Sequence, residues 1–230
     1  MSANKVEIEN FDKYAYEWWN KRGPYKLLHN LTPLRLKYIQ DQVDLKNKRI
    51  LDIGCGGGLL CEALYDVGAI VYGLDASKKT IEIARNHANE RGLDITYICE
   101  SFDDFVKKND QKFDHVVCFE MIEHVDDQNQ LIADIGTLLN KKSKVFFSTI
   151  NRNLMSFVFA KLLAEYVFNI VPKNTHTYDK FIKPSELNRM LEKNSFKADD
   201  ITGVKFNPIR QDFLLSDFNK INYFLTASKK

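Results

Sequence analysis

The sequence has no Cys-x-x-Cys pair, no block of like charge, no internal repeat and no low-complexity linker. Each absence closes off a class of protein. The four cysteines stand at 55, 61, 99 and 118, a scatter that suggests neither a zinc ribbon nor a redox pair. Scattered thiols in a chain of this size fit a reducing compartment. Thirty-three basic and 31 acidic side chains leave a formal net charge of +2. That balance is no electrostatic footprint for nucleic acid, so no such partner is expected. The opening MSANKVEIEN has no apolar signal core, and Glu7, Glu9 and Asp12 make it too acidic for a transit peptide. The expected location is therefore cytoplasmic.

What is present suits one domain: 230 residues, 44% of them hydrophobic and 28% charged. From Arg49 onward, short apolar runs alternate with longer amphipathic stretches, which predicts βαβ units and a parallel sheet. RILDIG, AIVYGLD, ITYIC, FDHVVCFE and KVFFSTIN read as five strands. Helices are predicted over GLLCEALYDVG, over SKKTIEIARNHANERG with Ser77 as N-cap and Gly92 as stop, and from Asp126 to Leu139. After Asn151 the rhythm changes. PSELNRMLEKN reads as a helix, and runs near 196–206 and 220–228 read as an antiparallel edge pair. Residues 5–20 and 32–43 read as helices that cap the site.

The strongest local feature is Leu51-Asp52-Ile53-Gly54-Cys55-Gly56-Gly57-Gly58, set between a strand and a helix. Glycines there allow a sharp turn and a close approach to a ligand. The next strand ends at Asp75, where a carboxylate can accept hydrogen bonds from two ribose hydroxyls. A dinucleotide fingerprint wants a glycine at position 59, which is Leu. The spacing is G-x-G-x-G over Gly54, Gly56 and Gly58, with Asp52 two positions ahead. Carboxylates near such a loop suit S-adenosylmethionine, whose ammonium and sulfonium replace a pyrophosphate. A nicotinamide or flavin site and a ligand-free turn are the alternatives.

Phe119-Glu120-Met121-Ile122-Glu123-His124-Val125 follows the fourth strand. Ligands of open α/β sheets sit outside the carboxyl ends of the strands. On a helical turn, Glu120, Glu123 and His124 would share one face. They would then hold a divalent cation, or His124 would act as a general base. Polar loop residues satisfying backbone groups are the plainer reading. Met121 reads as an adenosine contact or as a core methionine.

Fourteen of the 18 positions from Leu154 to Val171 are apolar, and Lys161, Glu165 and Asn169 form one narrow polar stripe on a helix. A membrane span needs ~20 mostly uncharged residues, so spanning is not expected. A lid over an apolar tunnel, an interfacial helix flanked by lysines and a core helix all fit.

Taken in order, further motifs carry a resemblance. They are Phe11-Asp12 with Trp18-Trp19, Pro33-Leu34-Arg35, LDIGCGGG, Asp75, ARNHA, CFEMIEHV, FSTINRN, AEY, THTYDKFIKPSEL, Phe206-Asn207-Pro208 and Asn222-Tyr223. Over nearly its whole length the chain resembles the ubiquinone-biosynthesis O-methyltransferases. The resemblance implies a Rossmann-like α/β class I methyltransferase fold. Its mostly parallel seven-stranded sheet would have an antiparallel C-terminal edge pair and an inserted apolar helix after strand five.

One domain is expected over 1–230. It would have capping helices in 1–45, a cofactor-binding core over 46–152, an apolar insertion over 153–182 and the sheet edge in 183–230. The resemblance also implies methylation of catechol-type hydroxyls on polyprenylated phenols or quinols, at two steps of the pathway. Arg35, Gly54, Asp75 and Met121 carry over as S-adenosylmethionine contacts. Glu120, Glu123 and His124 carry over as a cation set, usually for magnesium. Partners would be the prenylated substrate, the inner membrane face through 154–171, and other enzymes of the pathway. Thr32 and Asn174 replace a common Asn and Gly; Asn tolerates the left-handed backbone that Gly would adopt. A methyltransferase for another small aromatic, a nicotinamide-dependent oxidoreductase and a membrane-associated scaffold are the rival readings.

Overall fold

The computed structural model describes residue 12 and residues 14–152, 180–207 and 210–230. Five parallel strands form as the alternation predicts: β1 (Arg49–Ile53), β2 (Ile70–Asp75), β3 (Thr96–Cys99), β4 (Phe113–Phe119) and β5 (Leu139–Ile150). Then come β6 (Phe196–Asn207), β7 (Asp212–Ser216) and β8 (Asn222–Lys229), all antiparallel to their neighbours. The sheet order is β3-β2-β1-β4-β5-β8-β6-β7. Among the described residues the sheet has eight strands, not the expected seven. The extra strand is β7, which turns the predicted edge pair into three antiparallel strands.

Strand alternation divides the core into two layers. Val116, Cys118, Val145 and Phe147 face one way, against α4 (Phe102–Lys108), α5 (Gln128–Leu138) and α6 (Pro184–Lys193). Val117, Phe119 and Phe146 face the other, against α1 (Lys26–Gln40), α2 (Leu59–Asp66) and α3 (Lys78–Arg91). Central strands covered on both faces read as continuous apolar runs, and these do. Caps fix where the helices begin. Ser77 Oγ accepts the Thr80 amide at 3.1 Å, Ser101 Oγ the Asp104 amide at 3.2 Å, and Asp127 Oδ1 the Gln130 amide at 3.0 Å. Gly92 closes α3 in the left-handed conformation, φ 67°.

Three expectations shift. α1 begins at Lys26 and carries Pro33 inside it, whereas a start at residue 32 was expected. Within 5–20, Asp12 is helical and Ala15–Glu17 forms a 3-10 turn, while residues 5–11 and 13 lie outside the described residues. α4 joins β3 to β4 where no helix was assigned. The expected helix over 154–171 lies outside the described residues. Among the described residues, no helix is long and apolar enough to cross a membrane.

α1 is tied to the antiparallel strands. Tyr38 donates to Asp200 Oδ2 and accepts from Thr226 Oγ1, both at 2.8 Å, and Asn30 Nδ2 donates to the Gln211 carbonyl at 2.7 Å. These bonds hold Arg35, on the same helix, at the carboxyl end of the sheet.

Candidate active site

The glycine loop leaves β1 in left-handed backbone, with φ 75° at Gly54, 53° at Gly56 and 88° at Gly58. The amides of Gly54 and Cys55 both donate to the Leu74 carbonyl, at 2.8 and 3.0 Å, which binds the turn to β2. Asp75 closes the arrangement. Its Oδ2 accepts the Gly56 amide at 2.9 Å and its Oδ1 the Ser77 amide at 2.8 Å. Burial pushes its carboxyl pKa upward, against the lowering effect of those two amides. Side chains on the loop are excluded by contact. A Cβ on Gly56 or Gly57 would stand 2.3 Å from the Trp18 ring, and one on Gly58 2.3 Å from the Tyr97 hydroxyl.

A cavity opens beside this loop, at the carboxyl end of the sheet. Gly54, Gly56, Asp75 and Ser77 line one side, and Glu100, Ser101 and Phe102, which follow β3, line another. Glu120, Met121 and His124 line it from the end of β4, two strands from β2 in the sheet, with Met121 against Gly54, and Trp18 lines it as well. Of the residues expected from the sequence, Gly54, Gly56, Asp75, Met121, Glu120 and His124 come together here. Arg35, Asp52, Gly58 and Glu123 do not line it. Gly58 serves packing. Trp18, Glu100, Ser101 and Phe102 were not foreseen as lining residues. The strand-end rule that found Asp75 applies equally to Glu100, one residue past β3.

Glu120 sits in left-handed backbone, φ 52°, a conformation uncommon outside glycine and often found at functional sites. Ser148 holds it there. The Glu120 amide donates to the Ser148 carbonyl at 3.0 Å and to its Oγ at 3.1 Å, and Ser148 Oγ donates to Glu120 Oε1 at 2.8 Å. Arg35, only 8% exposed, brings Nη2 to 3.6 Å from the same oxygen.

The expected cation set is not assembled. Among the described residues, no group of three His, Cys, Asp or Glu side chains stands ready to hold a metal ion. The turn after Glu120 is a short 3-10 element, Ile122–His124, so Glu120 lies outside the helical turn that would have aligned all three. Glu123 is 4% exposed, and its Oε2 has no hydrogen-bond partner. Burial foremost, then the charge of Glu120, holds its carboxyl well above the ordinary range. The Arg35 guanidinium supplies positive charge beside Glu120.

Asp52 lies beneath the loop, 4% exposed, with Cys61 Sγ donating to its Oδ2 at 3.4 Å. Burial raises its pKa from 3.8 to about 6, with Cys61 and Arg35 opposing. A raised native value means that the folded chain keeps a proton which the unfolded chain releases. The linked stability is fully present below the unfolded value and is lost as pH rises through the folded one. Asp52→Asn is neutral throughout. Its Tm is expected to gain on the parent as pH climbs from about 4 to about 7, by roughly 2–4 °C per kcal/mol relieved. Thermal melts across that range check this; a gap that does not vary with pH would refute it.

The sequence profile of a family described as a methyltransferase domain matches residues 12–200. A ubiquinone biosynthesis O-methyltransferase of Coxiella burnetii is 44% identical over 223 residues, covering 97% of this chain and 95% of its own length. One of Vibrio vulnificus is 42% identical over 230 residues, covering 100% and 98%. Among solved structures, the magnesium protoporphyrin IX methyltransferase of Synechocystis PCC 6803 with bound SAH superposes with TM-score 0.71. Identity is 18%, with 98% of this chain and 99% of that one covered. That likeness speaks for the fold.

Proposed function

This chain belongs to the ubiquinone biosynthesis O-methyltransferases, and from that premise we propose what its pocket holds and does. The pocket binds S-adenosylmethionine and presents it to catechol-type hydroxyls of polyprenylated aromatic intermediates, at both O-methylation steps. One observation carries the reading. A single cavity joins the Asp75 and glycine-loop end to the Glu120 and His124 end.

The residues fit the cofactor. Asp75 has the position and the carboxylate for the ribose hydroxyls. Met121 and Phe102 would offer apolar surface to the nucleobase, and Glu100 and Ser101 polar groups; all four line the cavity. Arg35 Nε and Nη2 are buried without a hydrogen-bond partner, and such donors suit the carboxylate of the amino-acid part. When bound, the cofactor supplies a methyl group activated on sulfonium.

The chain has two tasks. It must align the acceptor oxygen with that methyl group, and positioning of this kind contributes up to roughly 7–11 kcal/mol. It must also remove the phenolic proton, because a catechol is mostly protonated at neutral pH. His124 and Glu120 are the groups at the right end of the cavity to take it. No step is assigned to a metal ion, since the candidate ligands do not converge. The prenyl tail would stay in lipid or against 154–171, giving a peripheral association with the inner membrane face. Other enzymes of the pathway are the natural partners there.

The test is transfer of radiolabelled methyl from S-adenosylmethionine to a prenylated catechol, beside a soluble catechol, with and without liposomes. Transfer with preference for the prenylated acceptor is expected. Equal use of both would favour a methyltransferase for another small aromatic. No transfer to either overturns the reading.

A further inference from the structure

The sequence contains two tryptophans, Trp18 and Trp19, and both pack on the glycine loop. Their polar atoms fare differently. Trp19 Nε1 donates to the Gly57 carbonyl at 3.1 Å, while its ring stacks on His87 with centroids 3.5 Å apart. Trp18 Nε1 is buried and has no hydrogen-bond partner. Its ring is 6% exposed, lies against Gly56 and Gly57, and packs on Tyr25 with centroids 4.2 Å apart. It also forms a wall of the cavity that holds Asp75 and Met121.

Buried donors in native proteins are almost always paired, so one left unpaired at a cavity wall asks for a partner. The ring cannot turn away to find one. Gly56 and Gly57 fit its face so closely that even a methyl group there would collide, and Tyr25 backs it.

We infer that Trp18 is a cofactor-binding residue, its indole N–H donating to an acceptor oxygen of the bound nucleoside. This rests on reading the cavity as a nucleoside site. Two kinds of oxygen on that ligand share the required chemistry, the ribose hydroxyls and the amino-acid carboxylate. The pairing also gives a reason for the absence of side chains at Gly56 and Gly57. They let the indole pack closely on the loop, where it lines the cavity.

With two indoles, the full chain gives two indole N–H cross-peaks in a proton–nitrogen correlation spectrum, assigned by Trp19→Phe. Adding S-adenosylhomocysteine to saturation is expected to move the Trp18 peak downfield, as an unpaired N–H gains an acceptor, and to move the Trp19 peak less. 5′-Methylthioadenosine, which lacks the amino-acid part, separates the two sources. A downfield move with both ligands points to the ribose. A move with S-adenosylhomocysteine alone points to the carboxylate.

Trp18→Phe keeps an aromatic wall but removes the donor. It is expected to weaken S-adenosylhomocysteine binding by about 2- to 10-fold if the acceptor is a ribose hydroxyl, and by about 10- to 100-fold if it is the charged carboxylate. A Trp18 peak that stays in place while the ligand demonstrably binds overturns the inference, as does an unchanged affinity of Trp18→Phe. Failure of the unaltered chain to bind the nucleoside at all would instead sink the functional reading beneath it.

Discussion

His124→Ala is expected to lower kcat by about 10²–10⁴-fold, the usual weight of a general base, with affinity for S-adenosylhomocysteine kept within about two-fold. The split follows from position. His124 lines the cavity from the turn after β4, two strands from the end of β2 that carries Asp75, and its backbone amide bonds the Met121 carbonyl at 2.9 Å within the short turn. Removing the imidazole therefore leaves the nucleoside end intact.

Glu120→Gln is the companion measurement. The amide can still accept from Ser148 Oγ, so the left-handed turn should survive, but the charge facing Arg35 is lost. If the carboxylate takes the proton, kcat falls for Glu120→Gln as it does for His124→Ala. If it only orients its neighbours, the glutamine variant keeps most of the rate. Loss of an interaction made only at the transition state lowers kcat and kcat/KM together. Both variants turning over at the parental rate, with their folds intact by thermal melt, would remove this end of the cavity from the chemistry.

The parallel half of the fold was legible because its signals are local. Each strand from β1 to β4 is a short apolar run, as is the KVFFSTI part of β5, whose mostly polar first residues, 139–143, were not read as strand, and each of α2, α3 and α5 carries its own stop or cap. The glycine spacing and the strand-end Asp75 placed half of the site for the same reason. α4 was missed although Ser101 and Asp104 show an N-cap pattern; its seven residues are too few to display a periodicity. β7 was missed because nothing within Asp212–Ser216 decides its state. All of its residues are partly or fully exposed. Its register comes from pairing with β6, from Gly203 opposite Ser216 to Asn207 opposite Asp212.

The expected cation set is not gathered, for a finer reason. The spacing of Glu120, Glu123 and His124 gives a shared face only if a helix begins at Glu120. In the structure the helical turn begins two residues later, which sends Glu123 into the core. Trp18 reaches the cavity, and Arg35 the Glu120 carboxylate that lines it, from the segment before β1, through contacts with the sheet and the loop that no local pattern announces. Arg35 was legible only through the family resemblance.

Asp75→Ala should act on binding rather than on rate. Two ribose hydrogen bonds to a charged carboxylate are worth about 1.5–3 kcal/mol each. Their loss predicts a Kd for S-adenosylhomocysteine raised by about 10²–10⁴-fold. The same substitution also frees the amides of Gly56 and Ser77, which now end on the two carboxylate oxygens, so the loop loses its tie to the start of α3. Asp75→Asn separates the two effects. Each carboxylate oxygen accepts a backbone N–H, so an amide must turn its NH₂ group against one of those donors. The asparagine variant is therefore expected to bind more weakly than the parent and more tightly than the alanine variant. For both variants, kcat at saturating cofactor should recover towards the parental value, the reverse of the pattern at His124. Calorimetric titration, followed by a cofactor-saturated rate assay, measures both quantities. An Asp75→Ala chain that binds the nucleoside as tightly as the parent would show that the strand-end carboxylate does not hold the ribose.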